Sequence, residues 1–318
     1  MESTELIDGV HRVEHVQGDK ILAYHMIEGH EGPIFVDSGS NATPTDLYQP
    51  LLEEHDWLLT DVSLVVITHA DADHHGGNGA VRFGNPSVTI AAHEADTELI
   101  ESGDRLLDDR YRQFDRHGVT YTPEMYAALE EMLGPDEPVD VALRGGESIR
   151  GANQTFRILH TPGHTSGHLV LYDSDTGLLL GADAFFGRGL RSPDGEVIQP
   201  PPYENVRDYR NTIRLVSALD PEVVSFTHYD TMTGDEIDAF VQESRDFVDE
   251  MDELVSDLLA ERDRLTLVEA IEETVDRLGS FGLDTDLAYP LTAHLNERVE
   301  RGEASTTVVD GDVVWESD

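Results

Sequence analysis

Short apolar runs broken by glycine-rich turns dominate the first part of this chain. Residues 9–16, 21–28 and 33–36 read as strands, with turn signals at 18–19 and 29–32. Residues 62–67 (VSLVVI) form a β-branched run that reads as a buried strand, and 87–91 reads as another. Between them, Leu47, Leu51 and Leu52 have helical spacing over 45–55, with Thr43 or Thr45 as N-cap, and 94–101 reads as a helix. The strand rhythm returns between 139 and 228, interrupted by a helix over 206–219. From 235 to 261 the pattern changes to one long amphipathic helix whose stripe includes Ile237, Phe240, Val241, Phe247, Val248, Met251, Leu254 and Leu258. A second helix over 266–278 starts at Thr266, with Glu269 at the capping-box position, and a third covers 290–301. Residues 306–315 read as a hairpin around Asp310-Gly311. Periodicity alone therefore predicts a mixed α/β (α+β) chain. The length and the change of pattern near 235 suit a large domain over 1–235, with a helical insert over 104–138, and a small one over 236–318.

The candidate chemistry sits where apolar runs end. The run 62–67 delivers Thr68-His69-Ala70-Asp71-Ala72-Asp73-His74-His75-Gly76-Gly77, which gathers imidazoles and two carboxylates in one small loop. That donor mixture suits a divalent cation better than a packed core. Three later segments repeat the arrangement. Residues 156–159 lead to His160-Thr161-Pro162-Gly163-His164, 178–180 to Gly181-Ala182-Asp183, and 223–225 to Phe226-Thr227-His228. Loops at strand ends are where α/β scaffolds carry their functional groups.

In this order the segments resemble the metallo-β-lactamase superfamily, whose signature is His-x-His-x-Asp-His, then a distant His, an Asp and a last His. His69, Asp73 and His74 match the first cluster, His164 the distant His, Asp183 the bridging Asp and His228 the last His. Val36-Asp37-Ser38-Gly39 resembles the early Asp-Thr-Gly turn, with Asp37 expected to support a ligand loop. The resemblance covers residues 5–235 and implies a four-layer αββα sandwich. It also implies two divalent ions, one held by His69, Asp71 and His164 and the other by Asp73, His74 and His228, with Asp183 bridging. Zinc is the first expectation, with iron and manganese open. The ions would activate water, and Asp73 would orient it. One position departs: Asp71 stands where most of the family has a second His. Three readings follow, in which Asp71 ligates directly, acts through water or a ligand histidine, or leaves a single-ion site. A carboxylate there adds negative charge, which would weaken the ion as a Lewis acid and favour harder cations.

Composition changes the setting. The 318 residues carry 65 acidic and 21 basic side chains, a formal charge of −44, and Lys20 is the sole lysine. Self-repulsion on that scale strains a compact fold in dilute buffer, and molar salt screens it to a Debye length of about 3 Å. We therefore expect a halophilic source. The chain has no cysteine, so ligands must be imidazole or carboxylate. The first residues lack the basic and apolar regions of a signal peptide, and no apolar run approaches the ~20 residues of a membrane span, so a cytoplasmic setting is expected. Within the insert, Arg105, Arg110, Arg112 and Arg116 concentrate positive charge beside Tyr111, Phe114, Tyr121 and Tyr126. They are candidates for binding an anionic group of a small-molecule substrate, against pairing with Asp108, Asp109 and Asp115 on a helix surface.

The leading functional reading is a metal-dependent hydrolase of an ester, thioester or lactone. The three C-terminal helices and hairpin resemble the winged-helix-like domain of lactamase-beta-like proteins, which raises nuclease or phosphodiesterase activity as an alternative. That region has no basic patch, and its would-be recognition helix sets Glu297 and Glu300 against Arg298 and Arg301, so a structural or homodimerising role is favoured over nucleic-acid binding. A non-hydrolytic di-iron redox protein is the third reading, suggested only by the acid at Asp71.

Overall fold

A computed structural model describes residues 2–309 and 311–317. Among these residues, eighteen strands occur in four sheets. The first sheet is laid down in sequence order: β1 (Glu2–Ile7), β2 (Val10–Gln17), β3 (Lys20–Ile27), β4 (Ile34–Val36), β5 (Leu64–Val66), β6 (Thr89–His93) and β7 (Val141–Leu143). Its first four strands are antiparallel, and β4 to β7 are parallel. The second sheet contains β8 (Ser148–Arg150), β9 (Thr155–His160), β10 (Leu169–Asp173) and β11 (Leu178–Ala182). A two-stranded ribbon follows, β12 (Leu190–Arg191) with β13 (Val197–Gln199), before β14 (Val223–Phe226) and β15 (Met232–Thr233) complete that sheet in the order 15-14-11-10-9-8. At the C-terminus β16 (Leu265–Thr266), β17 (Ala304–Val309) and β18 (Asp312–Ser317) pair in the order 16-18-17. Asp310, in the expected hairpin turn, lies outside the described residues.

The period-2 alternation of the strands builds the layers. Ile34 and Val36 on β4, Val66 on β5, Leu169 and Leu171 on β10, and Leu178 and Leu180 on β11 share one cluster between the two sheets. Their neighbours face outward. Phe35 and Val65 pack with Leu47, Leu51 and Leu52 from the 45–55 segment, while Val170 and Leu179 pack with Ile213 and Val216. The result is the expected αββα sandwich.

The helices are α1 (Gln49–Glu54), α2 (Ala72–His75), α3 (Asn78–Gly84), α4 (Thr97–Ile100), α5 (Gly103–Leu106), α6 (Pro123–Met132), α7 (Val206–Leu219), α8 (Asp235–Glu261), α9 (Leu267–Leu278) and α10 (Ala288–Glu300). The predicted helix over 45–55 is split, since Pro44–Tyr48 forms a π-turn leading into α1. α7 and α8 have the predicted bounds, and the Thr266–Glu269 capping box opens α9. The C-terminal order is helix, strand, helix, helix, hairpin. Its apolar stripe does not close on itself: Phe240, Phe247, Leu254, Leu291 and Trp315 join the cluster that covers the outer face of the second sheet. Among the described residues, no helix is long and apolar enough to cross a membrane.

Candidate metal centre

Four loops at the ends of β5, β9, β11 and β14 converge on one end of the sandwich. His69 follows β5, and the short α2 then presents Asp73 and His74. The chain can turn there because glycine follows: a Cβ on Gly76 would lie 2.2 Å from the Met132 carbonyl oxygen, and one on Gly77 2.3 Å from that of Ser38. His164 sits in the turn after β9, Asp183 just past β11, and His228 just past β14.

Each imidazole is oriented by its Nδ1. His74 Nδ1 lies 2.8 Å from Asp37 Oδ2, His164 Nδ1 2.9 Å from the Pro202 carbonyl, and His228 Nδ1 2.9 Å from the Ile21 carbonyl. These partners only accept, so Nδ1 carries the proton and Nε2 offers a lone pair. His69 Nδ1 is 3.0 Å from Thr68 Oγ1, whose own proton goes to Asp37 Oδ2 at 2.8 Å, so the same logic applies. His168 is the counter-example. Its Nε2 accepts the Asp183 N–H at 3.1 Å, and its Nδ1 donates to Thr161 Oγ1 at 2.9 Å. It is spent on positioning Asp183.

Two groups of ligand atoms result. His69, His164 and Asp183 each bring one atom within 4.8 Å of the others, and so do Asp73, His74 and His228. Asp183 Oδ2 reaches both groups, at 3.1 Å from His228 Nε2, 3.6 Å from His74 Nε2 and 4.0 Å from His164 Nε2. Buried polar atoms are normally hydrogen-bonded. Yet His69 Nε2, His74 Nε2 and Asp183 Oδ1 are buried without a partner among the described residues. Orphaned donors of this kind, all imidazole and carboxylate, fit divalent cations.

Asp71 is in the same space. Its Oδ2 lies 2.9 Å from His164 Nε2 and 3.3 Å from His69 Nε2. Arg110, itself buried, closes a two-pronged pair on it, through Nε to Oδ1 and through Nη2 to Oδ2 at 2.8 Å. The Tyr111 hydroxyl donates to Oδ1 at 2.9 Å. Burial opposes ionisation of Asp71, but the Arg110 guanidinium beside it holds its carboxyl well below the usual range. Burial likewise opposes ionisation of Asp183, and His228 and His74 reverse that effect. Burial lowers the basicity of His69, whereas at His74 the carboxylates of Asp183, Asp37 and Asp73 overcome burial and raise it.

Of the four insert arginines, the structure brings Arg110 alone into this site. Arg105 turns to Glu98 and Asp109, Arg112 pairs with Asp108 at 2.7 Å, and Arg116 lies beside the His117 ring. All four, Arg110 included, lie outside the lining of the adjacent cavity. Two supports were not foreseen in the sequence. Asp96, buried after β6, accepts from the Ala70 N–H at 3.0 Å, Thr165 Oγ1 at 2.7 Å and the Gly167 N–H at 2.6 Å, tying the His69 and His164 loops together. Arg12 donates to Ser225 Oγ at 2.9 Å and to the Tyr229 carbonyl at 2.9 Å, holding the His228 loop. A carboxylate shortly past a strand end was the one local signal for Asp96.

A family model described as "Metallo-beta-lactamase superfamily" matches residues 23–228. The chain belongs to that superfamily. It is 24% identical over 230 residues to "Probable metallo-hydrolase YqjP" of Bacillus subtilis, covering 68% of this chain and 69% of the relative. To human "Acyl-coenzyme A thioesterase MBLAC2" it is 26% identical over 207 residues (63% and 68%). To "Hydroxyacylglutathione hydrolase" of Pseudomonas paraeruginosa it is 27% identical over 233 residues (73% and 70%). In fold it resembles a metallo-beta-lactamase family protein of Thermus thermophilus, TTHA1429, with a TM-score of 0.72 and 22% identity over 99% of this chain and 100% of the other. The chain is thus a metal-dependent hydrolase of this family, whose fold binds divalent metal ions.

Proposed function

We propose that the chain hydrolyses the ester or thioester bond of a small acyl compound, with lactones as the cyclic case. The carrying observation is the cavity that opens on the ligand cluster. It has a volume of about 360 Å³, is lined by Asp73, His164, Asp183 and His228 at the cluster, and is walled by Leu22, Met125, Leu129, Met132, Phe186 and Leu190. Such a wall fits an acyl chain and leaves the scissile carbonyl at the polar end.

His69, His164 and Asp183 would hold one ion and Asp73, His74 and His228 the other, with Asp183 between them. Asp71 Oδ2, which also accepts from Arg110 Nη2, would complete the first set while Arg110 Nε and the Tyr111 hydroxyl retain Oδ1. Zinc suits this imidazole-rich set best. Bound ions supply Lewis acidity and a water acidic enough to ionise near neutral pH. The protein's own part is orientation. The Nδ1 partners fix four imidazoles, Asp37 serves His74 directly and His69 through Thr68, and Asp73 faces the cavity, where it can orient the attacking water and accept its proton. Arg110 changes one expectation, because the charge that Asp71 brings in place of histidine is offset at contact distance.

The C-terminal segment is read as a winged-helix-like unit over 236–318 on the strength of its element order. Its would-be recognition helix α10 supports a packing role. Arg298 pairs with Asp252 and Glu303, each at 2.9 Å, and Arg301 with Glu297 at 2.9 Å, leaving neither free for phosphate. The halophilic reading rests on the charge of −44. It predicts a melting temperature that rises from low to molar KCl, and equal stability in both would sink it.

The deciding experiment measures metal per chain by plasma mass spectrometry, alongside ester, thioester, lactone and phosphodiester substrates. Two ions with acyl-ester or thioester turnover are expected. Turnover of the phosphodiester alone would overturn the reading, and two irons without hydrolysis would favour the redox one.

A further inference from the structure

The sole lysine of this acidic chain lies at the catalytic cavity. Lys20, at the start of β3, is the one lysine or arginine side chain lining it among the described residues. It forms no ion pair among them. Its contact is the Gln199 side-chain Oε1, at 2.6 Å. That amide is held in turn, since Gln199 Nε2 donates to Asp286 Oδ2 at 2.6 Å, and Asp286 Oδ1 accepts from the Tyr121 hydroxyl at 2.5 Å. The relay has a direction. Asp286 only accepts, so it fixes the NH₂ end of Gln199 toward itself and leaves the carbonyl end for Lys20. Asp286 is buried, and both of its oxygens are engaged. The relay thus gives the ammonium one neutral acceptor, against the three hydrogen bonds it can donate, and keeps the Asp286 carboxylate within electrostatic reach but without a direct ion pair.

We propose that Lys20 binds a single carboxylate on the substrate, so that the preferred substrate is an acyl ester or thioester bearing one such group away from the scissile bond. This rests on the hydrolase reading above and deepens it. Lys20 is part-buried and keeps donor capacity on the cavity side, where a carboxylate can meet it in a charge-assisted hydrogen bond. The count of charges selects the anion: the lining sets one ammonium among the carboxylates of Asp19, Asp71, Asp73, Asp183 and Asp286, which can match a monoanion, whereas a nucleotide-like leaving group with several phosphates would need several cations and would be repelled by those carboxylates. Gln199, Asp286 and Tyr121 are positioning residues that aim the ammonium.

The test compares mono-4-nitrophenyl adipate with 4-nitrophenyl hexanoate, esters of equal chain length that differ by the terminal carboxylate. Both are assayed in one KCl concentration with the wild type, Lys20→Met and Lys20→Arg. Loss of a charge-assisted hydrogen bond should raise KM for the adipate ester in Lys20→Met by roughly tenfold to a hundredfold. KM for the hexanoate ester and kcat for both should stay within about twofold, and Lys20→Arg should recover most of the discrimination. Unchanged adipate KM, or an equal rise for both esters, would overturn the proposal, the latter making Lys20 a structural clamp. If the wild type cleaves neither ester, the hydrolase reading fails separately. Calorimetric binding of the matching N-methylamides then decides, because a carboxylate preference lost in Lys20→Met upholds the subsite and its absence ends it.

Discussion

The two proposed ion clusters are built from the same donor types but secured differently. Around Asp73, His74 and His228, the outer atoms of the imidazoles are held by an acceptor pointed at each Nδ1, and Asp73 opens to the cavity. Around His69 and His164, the protein adds a buried ion pair, Asp71–Arg110, which Glu204 extends at 2.6 Å. The first arrangement is a set of hydrogen bonds around a half-buried carboxylate. The second sets a fixed positive charge next to a ligand atom. A histidine-to-carboxylate exchange at a metal centre therefore involves more than the exchanged residue: the neighbouring cation decides what charge the ion meets.

The contrast can be broken in four ways, from the largest expected effect to the smallest. Acid should attack the Asp73 side. Buried His25, on β3, contacts Ser225 Oγ at 2.7 Å in the seam that also holds Arg12 and the His228 loop. Burial, aided by the charge of Arg12, lowers its pKa to about 3. Its folded value is depressed, so its contribution is complete above about 6.5 and is lost as pH falls toward 3. That contribution is on the order of 5 kcal/mol. Calorimetric melts between about pH 7 and 4 should show a shallower slope in His25→Asn, and an unchanged slope would remove His25 from the account.

Next, Arg110→Met leaves Asp71 buried without its cation. Breaking a buried pair from one side costs roughly 3–5 kcal/mol, so unfolding of the ion-free protein should report a large loss. Metal content should fall from two ions toward one, and two ions with wild-type stability would mean that the two clusters do not differ as drawn. Asp37→Asn should act more evenly, because it serves His74 directly and His69 through Thr68. Loss of such support lowers metal affinity by roughly 10–100-fold, and a competition titration with a chelator would measure it. The smallest effect belongs to Arg105→Ala and Arg112→Ala, which should leave melting temperature, ion content and KM at wild-type values. A raised KM would return these residues to the substrate.

The strands and the residues that meet at the cluster were legible because their signal is local, whereas the four-layer sandwich was implied by the resemblance and not by periodicity. Each ligand lies within a few residues of an apolar run, and the amphipathic stripes of α7 and α8 are long enough to define their ends. What escaped depends on contacts distant in sequence. Arg110 meets Asp71 across 39 residues and Arg12 meets Ser225 across 213, and no periodicity encodes such pairings. The strand β1 is mostly polar (ESTELI) and gave no alternation to read. The four clustered arginines looked equivalent by composition, yet only one faces inward, because the π-turn over Leu107–Tyr111 buries Arg110 while Arg105 and Arg112 stay on the surface.

The outer face of the second sheet is covered by α8, α10 and Trp315, and that has a consequence during synthesis. A growing chain that has reached β14 and the loop after it already contains the last donor, His228, and the part of the apolar cover that α7 supplies, but it lacks the part that α8, α10 and Trp315 supply. Chains acquire their packed units progressively as they emerge, so the first sheet can settle early while the second awaits the final helices and hairpin. The donors would then come together only near the end of translation, limiting the time in which a half-made centre could capture the wrong ion.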